Sequence, residues 1–276
     1  MRLSVWERLS RSSLCLDQTH VPLELNRAQV EQFYYPLATD LLSRSGSMPR
    51  LMVAVAGPPG SGKTAFATIL VGVVNAEADD EVGVLVGLDG WHYPNAYLAN
   101  HFIERGEEQI ALRRIKGAPE TFDAAAAYDC LSKIRQGGQV SFPIYSRRLH
   151  EPIPGGGTIS ALHKIVVVEG NYLLLGEEPW KRFRQLFDVR VFISASFETL
   201  MDSLRERHLR GGKKPAAIER HILEVDLPNA ERVGPSAAHA QVLVHKADAR
   251  RIHRIEQGLE MPCELTSPER YDILVT

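Results

Sequence analysis

Gly57-Pro58-Pro59-Gly60-Ser61-Gly62-Lys63-Thr64 fits the pattern G-x-x-x-x-G-K-[ST] in full. Glycine tolerates backbone conformations that other residues resist, so successive N–H groups can turn inward around phosphate oxygens. A helix starting at Lys63 would aim its positive end at the same point. Lys63 can then reach the terminal phosphates, and the Thr64 hydroxyl can hold Mg²⁺. The competing reading is a Gly/Pro surface loop. The flanks oppose it, because the apolar run Leu51–Ala56 stops at Gly57 and good helix formers follow Lys63. The chemistry is that of nucleoside triphosphate binding.

Two carboxylates could act beside such a cradle. Glu169 ends the apolar run Val166-Val167-Val168, where ligands of parallel sheets collect, and could serve a metal ion or orient a neighbour. Asp89 ends the run Val82–Leu88 and could take the proton of an attacking hydroxyl. Locally, either could instead be a carboxylate that starts a turn. The segment Leu200–Gly212 ends in Arg205, Arg207 and Arg210 before a Gly pair, which suits a hinged lid closing over phosphates with Arg207 first and Arg205 second. A solvated helix end whose cations suit the helix dipole is the plainer reading.

The elements that must hold these groups alternate as in a βα fold. Strands are expected at Leu51–Ala56, Val82–Leu88, Lys164–Val168, Val189–Ile193 and Gln241–His245, with a short one at Val140–Tyr145. Helices are expected from Lys63 to about Asn75, from Ala124 to Gly137-Gly138, from Ser196 to about Arg210, and from Pro215. A short helix is expected near Arg250–Gln257, and no reading is made beyond Pro262. Residues 26–44 have helical spacing that Pro36 should kink or end. Residues 1–48 read as an N-terminal helical extension, whose Phe33, Tyr34 and Tyr35 pack inward, and 49–276 as one domain with a lid about 203–230.

The 276 residues are 44% hydrophobic and 24% charged, which excludes a disordered chain. Thirty-two Lys+Arg against 34 Asp+Glu leave a formal charge of -2, so no general basic field draws the chain to nucleic acid or an anionic membrane. Cys15, Cys130 and Cys263 are far apart and lack metal-ligand spacing. The histidines, His92 and His208 among them, show no ligand spacing on one element and read as surface or loop residues. With no apolar run of membrane-span length and no leader-like start, a reducing cytoplasm is the expected location.

Three further stretches carry a resemblance. Asp89-Gly90-Trp91-His92-Tyr93-Pro94-Asn95, Lys116-Gly117-Ala118-Pro119-Glu120-Thr121-Phe122-Asp123 and Pro143-Ile144-Tyr145-Ser146-Arg147-Arg148-Leu149-His150 resemble the P-loop kinase superfamily of uridine kinase, phosphoribulokinase and bacterial-type pantothenate kinase. Within it, the chain is most similar to the poorly characterised branch of nucleoside/nucleotide or fructose-transport-associated sugar kinases. The resemblance covers about residues 50–245.

It implies an α/β, three-layer P-loop NTPase with a central mostly parallel sheet, helices on both faces and a helical lid. It also implies ATP and Mg²⁺, with Asp89 as catalytic aspartate, Lys63 and Thr64 as phosphate and metal groups, and Glu169 as the strand-end metal carboxylate. Tyr145 and His150 match acceptor-pocket positions, and Arg147 and Arg148 lie near enough in sequence to meet an anionic acceptor. Asp226-Leu227-Pro228-Asn229 resembles an element that follows the lid in the same branch. The phosphate loop departs from that of pantothenate kinases and the Asp89 motif from that of uridine kinases, so the acceptor stays open among sugars, nucleosides and pantothenate-like alcohols. The expected partner is a small molecule with a free hydroxyl, with no nucleic acid and no membrane. A homodimer is left open. The competing function is a nucleotide-dependent regulatory ATPase or switch without a small acceptor, and a nucleic-acid-processing ATPase ranks third.

Overall fold

The computed structural model describes residues 4–258 apart from 13, 17–20, 47 and 249. Cys263 and the tail beyond Pro262 lie outside the described residues. The central sheet has strands β1 (Leu51–Ala56), β2 (Gly83–Gly87), β3 (Ile165–Glu169), β4 (Val189–Ser194), β5 (Val242–Lys246) and β6 (Ile252–Gln257). Their spatial order is β6-β5-β4-β1-β3-β2, parallel throughout except for β6.

Every residue of β1 is buried because alternate side chains serve opposite layers. Met52, Ala54 and Ala56 join one core cluster, while Leu51, Val53 and Val55 join the other. The second layer is built on helix α1 (Val5–Arg11), helix α2 (Tyr35–Ser45) and helix α3 (Lys63–Ala78). Leu9, Tyr34, Leu37 and Leu41 are fully buried there with Phe66 and Leu70 of α3. The ring of Tyr34 lies 5.1 Å from that of Phe66. Pro36 neither ends nor breaks this helical run. The missing N–H and the ring are absorbed by a π turn at Val30–Tyr34, in which Tyr35 N–H donates to Val30 O.

On the opposite face lies helix α4 (Ala124–Gln136), whose Asp123 cap accepts from Ala126 N–H at 2.9 Å. Ala127, Leu131 and Ile134 face the sheet beside Tyr172, Trp180 and Phe183. The segment expected as a lid, about 203–230, falls on helix α5 (Phe197–Arg210), helix α6 (Pro215–His221), a π turn at Ile222–Asp226 and helix α7 (Leu227–Val233). Among the described residues no helix is long and apolar enough to cross a membrane.

Two sequence expectations are corrected. Residues 252–257 form β6, an antiparallel edge strand, where a helix was expected. Ile252 and Ile255 mimic helical spacing, but the register passes from His245↔Arg254 to Lys246↔Ile252 and skips His253. That bulge turns both isoleucines toward the same core layer. The short strand at Val140–Ser146 is half of a hairpin with Glu151–Ile159, a segment whose glycines and prolines had hidden its strand character.

Candidate active site

The cradle at 57–62 joins β1 to α3 at the C-terminal edge of the sheet, between the end of β4 and Glu169 of β3. Gly60 has φ +82°, and a Cβ there would lie 2.9 Å from Leu200 O and from Leu204 Cγ of the lid helix. Only glycine lets the turn close under α5. The Ser61 hydroxyl is buried inside the turn without a hydrogen-bond partner. Such an orphaned polar group inside this glycine turn fits a phosphate held there. Lys63 Nζ rests 3.4 Å from Pro58 O. Burial pushes its pKa down, Glu169 and Asp89 pull it up, and Arg207 and Arg147 push it down again, leaving it below the ordinary lysine value.

Asp89 follows β2, two strands from the cradle with Glu169 between them. Its turn is pressed onto the hairpin, since a Cβ on Gly90 would stand 2.1 Å from Pro143 O and 2.7 Å from Pro143 C. This contact carries Tyr145 and Arg147 to the Asp89 carboxylate. Gly90→Ala should therefore destabilise the fold by about 3 kcal/mol, as overpacking against backbone does. Denaturant unfolding reads it, and an unchanged midpoint would mean that the hairpin does not press on the turn.

The Asp89 side chain is 44% accessible at the mouth and crowded elsewhere. Burial raises its pKa, but the charges of His92, Arg147, Lys63 and Arg207 outweigh this and leave it below the ordinary aspartate value. His92 is buried, with Nδ1 3.0 Å from Asp89 O and its ring 3.8 Å from Phe122 and 5.3 Å from Tyr145. Burial lowers its pKa against the pull of Asp89. It is thus part of the site, where the sequence suggested a surface residue. The signal available was its place three residues after the candidate base among aromatics. Tyr145 is pushed up to about 12 by burial and by Asp89, so it stays a neutral phenol.

Lys116 lies beside this group, a site position that the Lys116–Asp123 motif does not by itself single out. Tyr93 N–H donates to Thr121 O at 2.9 Å and Asp123 N–H to Trp91 O at 2.8 Å, which laces the 116–123 segment to the Asp89 turn. Lys116 Nζ donates to Asn95 Oδ1 at 2.6 Å and to His150 O at 2.8 Å, and sits 5.3 Å from the centre of the Tyr145 ring. Burial lowers its pKa, against Glu151 and Asp89.

The structure therefore gathers Lys63, Asp89, Glu169, Arg147, Arg207 and Tyr145 into one field, with Thr64 in the first turn of α3. It does not bring in the other expected side chains. Arg148 is exposed with no ion pair or hydrogen bond among the described residues, and exposed His150, at φ +53°, contributes its carbonyl. Arg205 is engaged outside the site, donating to both carboxylate oxygens of Glu219 at 2.8 and 3.1 Å. Two residues apart on a helix is about 200°, so α5 cannot aim both Arg205 and Arg207 at the cradle.

The model of the phosphoribulokinase / uridine kinase family matches residues 52–252, spanning the cradle, Asp89, the hairpin and the lid. The chain belongs to this family. It is a P-loop kinase, a nucleotide-binding transferase of α/β architecture. The uncharacterised protein YggC of Escherichia coli (strain K12) is 30% identical over 244 residues, covering 87% of this chain and 97% of YggC. A pantothenate kinase of Streptococcus mutans is 24% identical over 237 residues, covering 78% of this chain and 74% of that enzyme. A solved structure from Silicibacter sp. TM1040, assigned as a fructose transport system kinase, has a TM-score of 0.65 at 27% identity, covering 74% of this chain and 95% of that one. These likenesses agree with the branch to which the motifs pointed.

Proposed function

We propose that the protein is an ATP- and Mg²⁺-dependent kinase that transfers the γ-phosphoryl group to a hydroxyl of a small metabolite, a sugar, nucleoside or pantothenate-like alcohol, in the cytoplasm. The observation that carries this reading is the Asp89 carboxylate, 44% accessible at the C-terminal edge of the sheet beside the phosphate cradle and held below the ordinary aspartate value by the charges around it, with Tyr145 and Arg147 at the hairpin end close enough to act on it.

The amides of 57–62 and Lys63 would bind the triphosphate, and Thr64 with Glu169 would hold Mg²⁺. When bound, Mg²⁺ supplies charge neutralisation between the phosphates. Asp89 accepts the proton of the acceptor hydroxyl as its oxygen bonds to the γ-phosphorus and the bond to ADP breaks. Lys63 and Arg207 offset the charge that develops on the transferred group. Tyr145 and Lys116, whose ammonium sits 5.3 Å from the centre of the Tyr145 ring, would line the acceptor side.

The test is an ATP-consumption screen over sugars, nucleosides, pantothenate and glycerate, with the phosphate ester identified as product. Saturable ester formation with one class is expected. ATP turnover at one rate with and without every acceptor, and no ester, would favour the regulatory ATPase.

A pH profile adds a second prediction. The acid limb of kcat/KM reports the free-enzyme base, which works only when deprotonated, so activity is lost as pH falls through its pKa. That limb should lie below the ordinary aspartate range and move to higher pH in Arg147→Ala, because Arg147 helps hold the Asp89 pKa down. A limb unmoved by that change would separate Arg147 from the base.

A further inference from the structure

We propose that Asp226 is a positioning residue that sets the reach of Arg207 over the phosphate cradle. The inference rests on the phosphoryl-transfer reading and adds a residue that acts without touching either substrate.

Asp226 is 5% exposed at the junction of the π turn with α7. Its Oδ1 accepts from Arg207 Nη2 at 2.9 Å, and its Oδ2 accepts from His208 Nε2 at 2.7 Å. Arg207 and His208 are consecutive at the end of α5, about 100° apart around the helix. One carboxylate gripping both fixes the rotation of that last turn as well as its position. Burial pushes the Asp226 pKa up, but the His208 hydrogen bond and the charges of Arg207, His208 and His221 bring it below the ordinary aspartate value. The strut is an ionised group.

Arg207 retains further N–H donors, and its side chain stays 37% exposed. Its charge acts on both Lys63 and Asp89, which places the guanidinium within electrostatic reach of the groups at the cradle. The far end of the strut is tied down. Arg232 of α7 donates to Glu120 Oε1 at 2.7 Å and also to Glu177, which fastens α7 to the segment that carries Lys116. Asp226 therefore sits on the anchored side of the lid and Arg207 on the helix that lies over Gly60.

His208, His221 and Asp226 also converge within 4.8 Å, as metal ligands would. Arg207 and Lys213 face the same carboxylate and oppose a divalent cation there. The hydrogen-bonded strut is the arrangement that this charge pattern favours.

The test is a double-mutant cycle of Arg207→Ala and Asp226→Asn, read on the ratio of ATP to ADP affinity and, with an acceptor, on kcat. Asp226→Asn keeps the side-chain shape and should cut the ATP/ADP affinity ratio about tenfold, the scale of a charged hydrogen bond. In the Arg207→Ala background it should change the ratio and kcat by less than about twofold. Equal losses in both backgrounds would overturn the proposal and leave Asp226 a part of the fold. ADP affinity reports a folded site; if Asp226→Asn abolishes it, Asp226→Glu replaces it, with the same coupling to Arg207 expected. A wild type that binds Zn²⁺ tightly and loses this in Asp226→Asn would also overturn the strut, in favour of a metal site.

The affinity ratio needs no acceptor. A coupled cycle in a chain that phosphorylates nothing sinks the kinase reading alone, an additive cycle in an active kinase sinks the strut alone, and a chain that binds neither nucleotide sinks both.

Discussion

Asp89→Asn should lower acceptor phosphorylation by about 10²- to 10⁴-fold, the range that a positioned general base contributes. Nucleotide binding should survive. The amide has the same shape, and the carboxylate is 44% accessible, so the turn pressed on Pro143 need not move. What disappears is the proton acceptor, together with a negative charge that now pulls the pKa of Lys63 upward. The triphosphate, itself anionic, does not depend on that charge, and its affinity should hold or rise. Quenched assays of the ester product and calorimetric titration with ATP measure the two quantities. Wild-type turnover in the variant would remove Asp89 from its role, and loss of ATP binding would mean that it supports the cradle instead.

Arg207→Ala should cost more, about 10³- to 10⁵-fold in kcat, if Arg207 serves as the arginine that meets the transferred group. Arg205→Ala is the matched control. It lies on the same helix and carries the same charge, but its guanidinium forks onto Glu219 at the surface, so its loss should leave the rate within about twofold. Arg207 also helps hold the Asp89 pKa down. Its removal should therefore move the acid limb of kcat/KM to higher pH as well as lower the plateau. Equal losses in the two alanine variants would indicate a general electrostatic effect of the lid and no aimed side chain.

The parts of this site that were legible early are those set by local rules. The cradle follows from glycine spacing beside an apolar strand, and Asp89 and Glu169 from their places at strand ends. The Asp123 and Ser196 caps mark helix starts through a single side-chain oxygen each. Arg207 and Arg205 could be ranked but not separated, because helical phase excludes one of them without saying which faces the cradle.

Residues far apart in the chain followed other logic. Whether Tyr145 or His150 meets Asp89 depends on how the hairpin lands on Gly90, a contact across more than fifty residues. Tyr145 arrives as a side chain, whereas His150 arrives as a carbonyl bonded to Lys116 and Asn95. His92 changes from a loop residue to a buried neighbour of the base only once Phe122 packs against it.

Alone, the amino-acid sequence determined the alternation of strands and helices, the phosphate cradle and the identity of the carboxylates, since hydrophobic period, glycine permissiveness and capping act within a few residues. Tertiary structure decided which cations surround Asp89, which lid arginine is tied to Glu219, and that Asp226 grips the other. Those outcomes depend on distances between elements brought together by burial of the two core layers, and electrostatic interaction at a partly buried site falls or rises with those distances.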